Sequence, residues 1–279
     1  MSRRPSLTVL AAASVLVAVV LVALIGNVFT PFATTDQDLL NRLARPAFLG
    51  GPAEYPLGTD RIGRDMVARL VDGLRMSLSV ALAGTLIGAV FGTLVGFVAA
   101  HFRGLVEEGL MMLVDLQASL PFILIALTLL AFFGNSLTLF ILLIGLFGWE
   151  TYARLARGVV LSATSQPYAK AIVALGAHPV RLYLRHVLPN VASALIVQLT
   201  LTFPQIILLE TSLSFLGLGI QPPLTSLGQI LDDGRDYLST AWWISVWPGT
   251  LIFVITLSMS ILGDALRDRL DPMLKQRTT

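Results

Sequence analysis

Six stretches of this 279-residue chain run for about 20 residues with almost no charge: Leu7–Phe29, Ser77–Ala100, Gly109–Phe133, Leu137–Arg157, Val191–Leu209 and Ile244–Gly263. That length of apolar helix crosses a bilayer. The pattern therefore predicts an all-α integral membrane protein with six transmembrane helices. Long polar stretches lie between the first and second spans, the fourth and fifth, and the fifth and sixth. No internal repeat is evident, which argues against an inverted-repeat secondary carrier. The first span follows Arg3 and Arg4 but is too long for a signal-peptide core, and no small-residue cleavage pattern follows it. It is expected to be a retained helix.

Periodicity adds detail inside these segments. In the first long loop, Ile62, Met66, Val67, Leu70 and Leu74 share one face at helical spacing, with most charges turned away. This predicts an amphipathic helix lying on the membrane surface or against the bundle. Asp65 and Arg69 are spaced to pair along it, for a few tenths of a kcal/mol. In the second span, Gly84, Gly88, Gly92 and Gly96 recur at every fourth position. Such a row forms a flat ridge against which another helix backbone can pack closely.

The stretch "ALGAHPVRLYLRHVLPN", Ala174 to Asn190, interrupts the apolar chain with cations, prolines and histidines. Ala169–Leu175 is expected to form a short helix that Gly176 ends in a left-handed cap. Pro179 starts a second helix. Leu182, Tyr183 and Val187 then face one way, and Arg181 and Arg185 the other. Ala171 and Leu175 form a small apolar knob, a shape suited to docking into a cleft of a soluble partner.

Composition narrows the function classes. The chain is 55% hydrophobic and 13% charged, with a mean hydropathy of +0.80, so lipid rather than water is its solvent. A net charge of +2 does not mark a nucleic-acid binder. With no cysteine there is no disulfide, thiolate metal site or cysteine nucleophile. Neither Lys170 nor Lys275 follows a glycine-rich turn, so the chain lacks a P-loop and does not hydrolyse ATP by that route. His101, His178 and His186 have no metal-ligand spacing. With the N-terminus placed in the cytoplasm, twelve of the nineteen cations fall in inner segments, which favours cytoplasmic termini. Trp242, Trp243 and Trp247 would then form an aromatic belt at the outer end of the sixth span.

Three acids lie in the spans. Asp115, Glu150 and Glu210 are the candidates for touching a transported solute. Each has a plainer role open to it: Asp115 near water, Glu150 paired with Arg154 one turn on, and Glu210 at the outer interface. Three scattered acids make neither a proton relay nor a catalytic dyad. That argues against a stand-alone secondary transporter and against a membrane enzyme.

The stretch ending in "LPN" resembles the EAA loop of permease subunits from ABC importers, although the acid that names the loop is absent from Lys170–Ala174. "PLGTDRIGRD" (Pro56–Asp65), "ETSLSFLGLGIQPP" (Glu210–Pro223), "GRDYL" (Gly234–Leu238) and "GDALRDRLDP" (Gly263–Pro272) are similar to the dipeptide, oligopeptide and nickel permease family, within it the C-type subunit. The resemblance covers nearly the whole chain. It implies a permease that forms half of a translocation pathway and catalyses nothing. A second homologous permease would supply the other half. Two ABC ATPase subunits would carry the ATP and magnesium, so this chain would bind no cofactor. An extracytoplasmic solute-binding protein would deliver the cargo. Peptides are the expected cargo, with a nickel complex or another small solute as the alternative. Tyr168, Ala169, Lys170, Ala171, Ala174, Leu175, Gly176, Ala177 and Arg181 would couple to the ATPase. The implied organisation is an N-terminal span in 1–30, an extracytoplasmic loop with an amphipathic helix in 31–76, a five-span core in 77–272 with the coupling loop at 158–190, and a cytoplasmic tail at 273–279.

Overall fold

The computed structural model describes residues 6–28 and 30–270. Phe29, Arg3, Arg4, Lys275, Arg277 and the 273–279 tail lie outside them. The regular structure among the described residues is helical, apart from one isolated bridge between Thr59 and Asp65. The α-helices in chain order are α1 (Leu7–Ile25), α2 (Met66–Phe102), α3 (Gly104–Ser119), α4 (Phe122–Phe133), α5 (Leu137–Gly145), α6 (Trp149–Ser165), α7 (Pro167–Ala174), α8 (Pro179–Leu182), α9 (Leu188–Phe215), α10 (Leu227–Asp233) and α11 (Trp243–Leu270). Five helical stretches among the described residues are long and apolar enough to cross a membrane, and with the bent pair α3–α4 counted as one span there are six. The six-span, all-α expectation holds, but three of the spans differ from the uniform rods that hydropathy suggests.

The second span is longer than expected. α2 has 37 residues, about 55 Å at 1.5 Å per residue, well beyond a hydrocarbon layer of about 30 Å. The amphipathic segment of the preceding loop is its first turns, not a separate surface helix. Nothing between Met66 and Phe102 breaks the helix, and Gly73 is seated closely against Ile230 and Ser226. Met66, Leu70 and Leu74 are buried, but so are Ala68, Arg69 and Val71, because the 30–65 loop and α10 close over the supposed polar face.

The third expected span, Gly109–Phe133, is broken. α3 and α4 meet at 88°. Pro121 lacks an N–H and pushes Leu120 into an extended conformation (φ −98°, ψ 133°). The fourth span is interrupted between α5 and α6, where Gly148 takes φ +77°.

The glycine ridge of α2 lies against α5 and α6 of the same chain. A Cβ at Gly84 would stand 2.5 Å from Ile144 Cγ2, one at Gly92 2.2 Å from the Trp149 carbonyl, and one at Gly96 2.5 Å from the Ala153 carbonyl. At Gly88 it would stand 2.9 Å from the Gly145 carbonyl.

The core divides in two. The larger cluster joins α1, α2, α4, α5, α9, α10 and α11. The smaller one joins the C-terminal end of α2 to α6, α7, α8 and the start of α9. Trp242 is exposed, but Trp243 and Trp247 are not a free interfacial belt. Trp243 is 2% exposed and donates its indole N–H to the Thr59 carbonyl at 3.0 Å. Trp247 donates to the Leu57 carbonyl at 3.3 Å. These indoles fasten α11 to the first loop, because an apolar ring with one donor suits a half-buried carbonyl.

Candidate functional site

The loop between α6 and α9 is built by its prolines and one glycine. Gln166 is extended (φ −68°, ψ 149°) because Pro167 follows it, and Pro167 opens α7. Gly176 takes φ +77°, the left-handed cap that the sequence predicts. The Gly176 N–H reaches the Val173 carbonyl at 2.9 Å, and the Ala177 N–H reaches that of Ile172 at 3.3 Å. These bonds close the helix end. His178 is not merely solvated: its Nδ1 accepts the Val180 N–H at 3.3 Å, capping α8 at Pro179. One π-helical turn, Tyr183–Val187, joins α8 to α9.

Two contacts that sequence reasoning missed hold this loop to the bundle. Asn190 Nδ2 donates to the Tyr168 hydroxyl at 3.1 Å, bracing α7 against α9. The Tyr183 hydroxyl meets His101 Nδ1 at 3.1 Å, tying the loop to the end of α2. Ala169 is 1% exposed and packs beside Leu182, Val187 and Val160. The structure thus turns Ala169 inward, towards its own chain. Lys170, Ala171, Ala174, Leu175, Gly176 and Arg181 are exposed, Tyr168 is exposed at the rim, and Ala177 is half-buried. Leu175 is 87% exposed, and Val173 and Val180 more than half. These aliphatic side chains stand in the open on a loop that is itself fastened to the bundle.

The three spanning acids have different surroundings. Asp115 is largely exposed and lies 3.8 Å from Arg154. Arg154 therefore does not pair with Glu150 as expected. Glu150 stands in the first turn of α6 at the break after α5, where the helix N-terminus favours an acid. Its Oε2 is buried without a partner. Glu210 does not end its span at an interface. α9 runs on to Phe215, and Glu210 is wholly buried. Its carboxylate accepts the hydroxyls of Ser77 at 2.9 Å and Ser214 at 2.8 Å. Ser77 in turn accepts the Leu227 N–H at 3.1 Å. Glu210 is thus a knot between α2, α9 and α10.

At the N-terminal end of α2 the expected Asp65–Arg69 pair gives way to a larger network. Asp65 caps the helix through the Ala68 N–H at 2.9 Å. Arg69, 1% exposed, bonds Asp60 at 2.7 Å and Asp233 at 2.8 Å. Arg64 also holds Asp60, at 2.6 Å, and Arg61 holds Asp233 at 3.2 Å. Burial pushes the Asp60 carboxyl up, but Arg69, Arg64 and the N–H groups of Arg64 and Ile62 outweigh it and hold it below the usual carboxylate range. Gly63 makes the tight turn beside it at φ +81°, where a Cβ would fall 1.8 Å from the Asp38 carbonyl.

Comparison with known proteins gives this architecture relatives. The family model described as "Binding-protein-dependent transport system inner membrane component" matches residues 92–276. The chain is 37% identical over 258 residues to the di/tripeptide transport system permease protein DppC of Pseudomonas aeruginosa (strain UCBPP-PA14), covering 92% of this chain and 85% of that protein. It is 34% identical over 258 residues to the oligopeptide transport system permease protein OppC of Escherichia coli (strain K12), covering 92% of this chain and 84% of that one. Among solved structures, the inward-facing MetNI methionine ABC transporter in its CY5 native crystal form is similar with a TM-score of 0.59 at 20% identity. That match covers 74% of this chain and 98% of the other, and it speaks for the fold alone.

Proposed function

The chain belongs to the family of binding-protein-dependent transport system inner membrane components, and from that premise we propose that it is one of two permease subunits of an ATP-driven importer of di- or oligopeptides. As a member of that family it is a multi-pass inner-membrane transport component, not an enzyme. The peptide cargo is carried over from the names of the relatives. In this proposal a second, homologous permease completes the pathway. Two ATPase subunits bind and hydrolyse ATP with magnesium, and an extracytoplasmic binding protein delivers the solute. The termini and α7 lie in the cytoplasm.

The observation that carries the coupling role is the exposed apolar knob of α7, fixed to the bundle by Ala169, Asn190 and Tyr183. A lever must be rigid towards its own chain and adhesive towards its partner. Of the three spanning acids, Glu150 is proposed to face the pathway, since it alone combines a break in its span with an unpartnered buried carboxylate oxygen.

The test is uptake and ATP hydrolysis by the reconstituted transporter. Gly176→Val forces a β-branched residue to positive φ, and Ala171→Asp places an unpaired charge in an apolar socket. Each is expected to cut substrate-stimulated ATP hydrolysis on the order of tenfold or more, the equivalent of about 1.4 kcal/mol, with insertion unchanged. Glu150→Gln is expected to alter uptake while leaving basal ATP hydrolysis alone. Wild-type stimulation in both loop variants would reject the coupling role.

A further inference from the structure

Behind α7 lies a cavity of about 520 Å³, between the C-terminal end of α2, α6 and the loop of α7 and α8. Its walls are mostly aliphatic, including Val173 and Leu182. Its polar lining includes His101, Arg103, Lys170 and Tyr183, and no carboxylate lines it. Neither Arg103 nor Lys170 has an ion-pair partner among the described residues. Tyr183 fixes the His101 ring by the 3.1 Å contact at its Nδ1.

Arg103 is also strained. It takes φ +51° and ψ −173°, a combination that residues with a Cβ rarely adopt. The flanking surface is apolar and open: Phe102 and Leu105 are 63% and 87% exposed, and Val106 is exposed beside them. A pocket of unpaired cations beside a bare apolar face, at the level where a spanning helix ends, matches a molecule with an anionic phosphate head and acyl tails.

We propose that this cavity binds the headgroup of an anionic phospholipid. Its phosphate is held by Arg103, Lys170 and the His101–Tyr183 pair, and its chains lie along Phe102, Leu105 and Val106. Bound there, the lipid backs α7 from the membrane side, opposite its exposed knob. The site rests on the membrane character of the family and not on the cargo, and it gives Lys170 to the lipid where the resemblance gives it to ATPase coupling.

The experiment reads lipid, not transport, so it stands or falls separately from the coupling role. The assembled transporter is reconstituted in nanodiscs of mixed phosphatidylcholine and phosphatidylglycerol. Lipids retained by this chain after mild extraction are identified by native mass spectrometry. The wild type is expected to keep phosphatidylglycerol over phosphatidylcholine. Arg103→Ala and Lys170→Ala are each expected to weaken that retention about fivefold, the worth of one interfacial cation. Arg103→Lys with Lys170→Arg keeps the charges and should keep the lipid. Inorganic phosphate at buffer concentration should not displace it. Equal retention of both lipids by the wild type overturns the proposal without recourse to any variant. So does displacement by phosphate, which would make this a free-anion site. Alanine variants that keep the lipid but lose the ATPase subunits would overturn it too, and would assign the cavity to protein docking.

Discussion

Asp60 shows how much one side chain carries in this protein. Its two oxygens accept the N–H groups of Ile62 and Arg64 and the guanidinium groups of Arg64 and Arg69. Through Arg69 it reaches Asp233, which lies 164 positions beyond that arginine. Asp60→Asn leaves Arg69 buried with half its countercharge gone. Breaking a buried pair in this way costs about 3–5 kcal/mol, which should lower the Tm of the purified transporter by roughly 10 °C. The sign of the pH effect follows from the depressed folded pKa of Asp60. Its contribution is whole above the ordinary carboxylate range and is lost as pH falls through the folded value. The Tm gap between wild type and Asp60→Asn should therefore be full at neutral pH and close below about pH 4. A gap that stays constant on acidification would count against the network. The sequence displays Asp60 and Arg64 in one motif with Arg69 just beyond it, yet the only partner its spacing proposes for Arg69 is Asp65. Helical periodicity sees one turn ahead, whereas Asp233 arrives through the packing of α10, which no local pattern encodes. The same limit applies to Glu210, whose place at the end of an apolar run concealed that its helix continues and that α2 and α10 enclose it.

Helices repeat the lesson with their own signals. The spacing of Gly84, Gly88, Gly92 and Gly96 is legible because a four-residue repeat is local, and the structure adds what the ridge meets: α5 and α6 of the same chain. Gly92→Leu would drive a side chain into the Trp149 carbonyl and the Tyr152 Cβ, at 2.2 and 2.7 Å from the first added carbon. Backbone cannot yield as a flexible side chain does, so the cost should reach or pass the upper end of about 1–3 kcal/mol for overpacking. Gly158 in α6 has nothing within 4 Å of its would-be Cβ. Gly158→Leu should therefore insert and fold normally, whereas Gly92→Leu should lose most of its folded yield by fluorescence-detected size exclusion. Equal yields for the two variants would reduce the ridge to composition. The break at Pro121 was equally present in the sequence, but a window of apolar residues averages over a single proline. Reading Leu120-Pro121 as a boundary would have separated α3 from α4. The continuation of α2 backwards through the loop follows from the absence of any such breaker between Met66 and Ser77.

At the scale of the molecule, α2 decides which surfaces share a side of the membrane. The Asp60–Arg69–Asp233 network sits at its N-terminal end, and the cavity behind α7 at its C-terminal end. A helix about 55 Å long cannot keep both ends on one face of a layer of about 30 Å. The charges at the two ends are unequal. Arg103, Arg154, Arg157, Lys170, Arg181, Arg185, Arg267 and Arg269 outnumber Glu107, Glu108, Asp115, Asp264 and Asp268 at the α7 end, while acids are in excess around Asp60. The positive-inside bias favours the orientation proposed above, with α7 in the cytoplasm and Glu54 outside. Because the chain has no cysteine, single cysteines at the exposed positions Glu54 and Ala171 report the two sides without background. In intact spheroplasts an impermeant maleimide should label the Glu54→Cys protein within minutes. The Ala171→Cys protein should be labelled only after the membrane is opened. The two positions are tied to opposite ends of one unbroken helix, so the results must be opposite if the fold is right, whichever way the chain is inserted. Labelling of both in intact cells would contradict the architecture itself. Labelling of Ala171→Cys alone would keep the architecture and reverse the orientation, and with it the docking of α7 to a cytoplasmic ATPase.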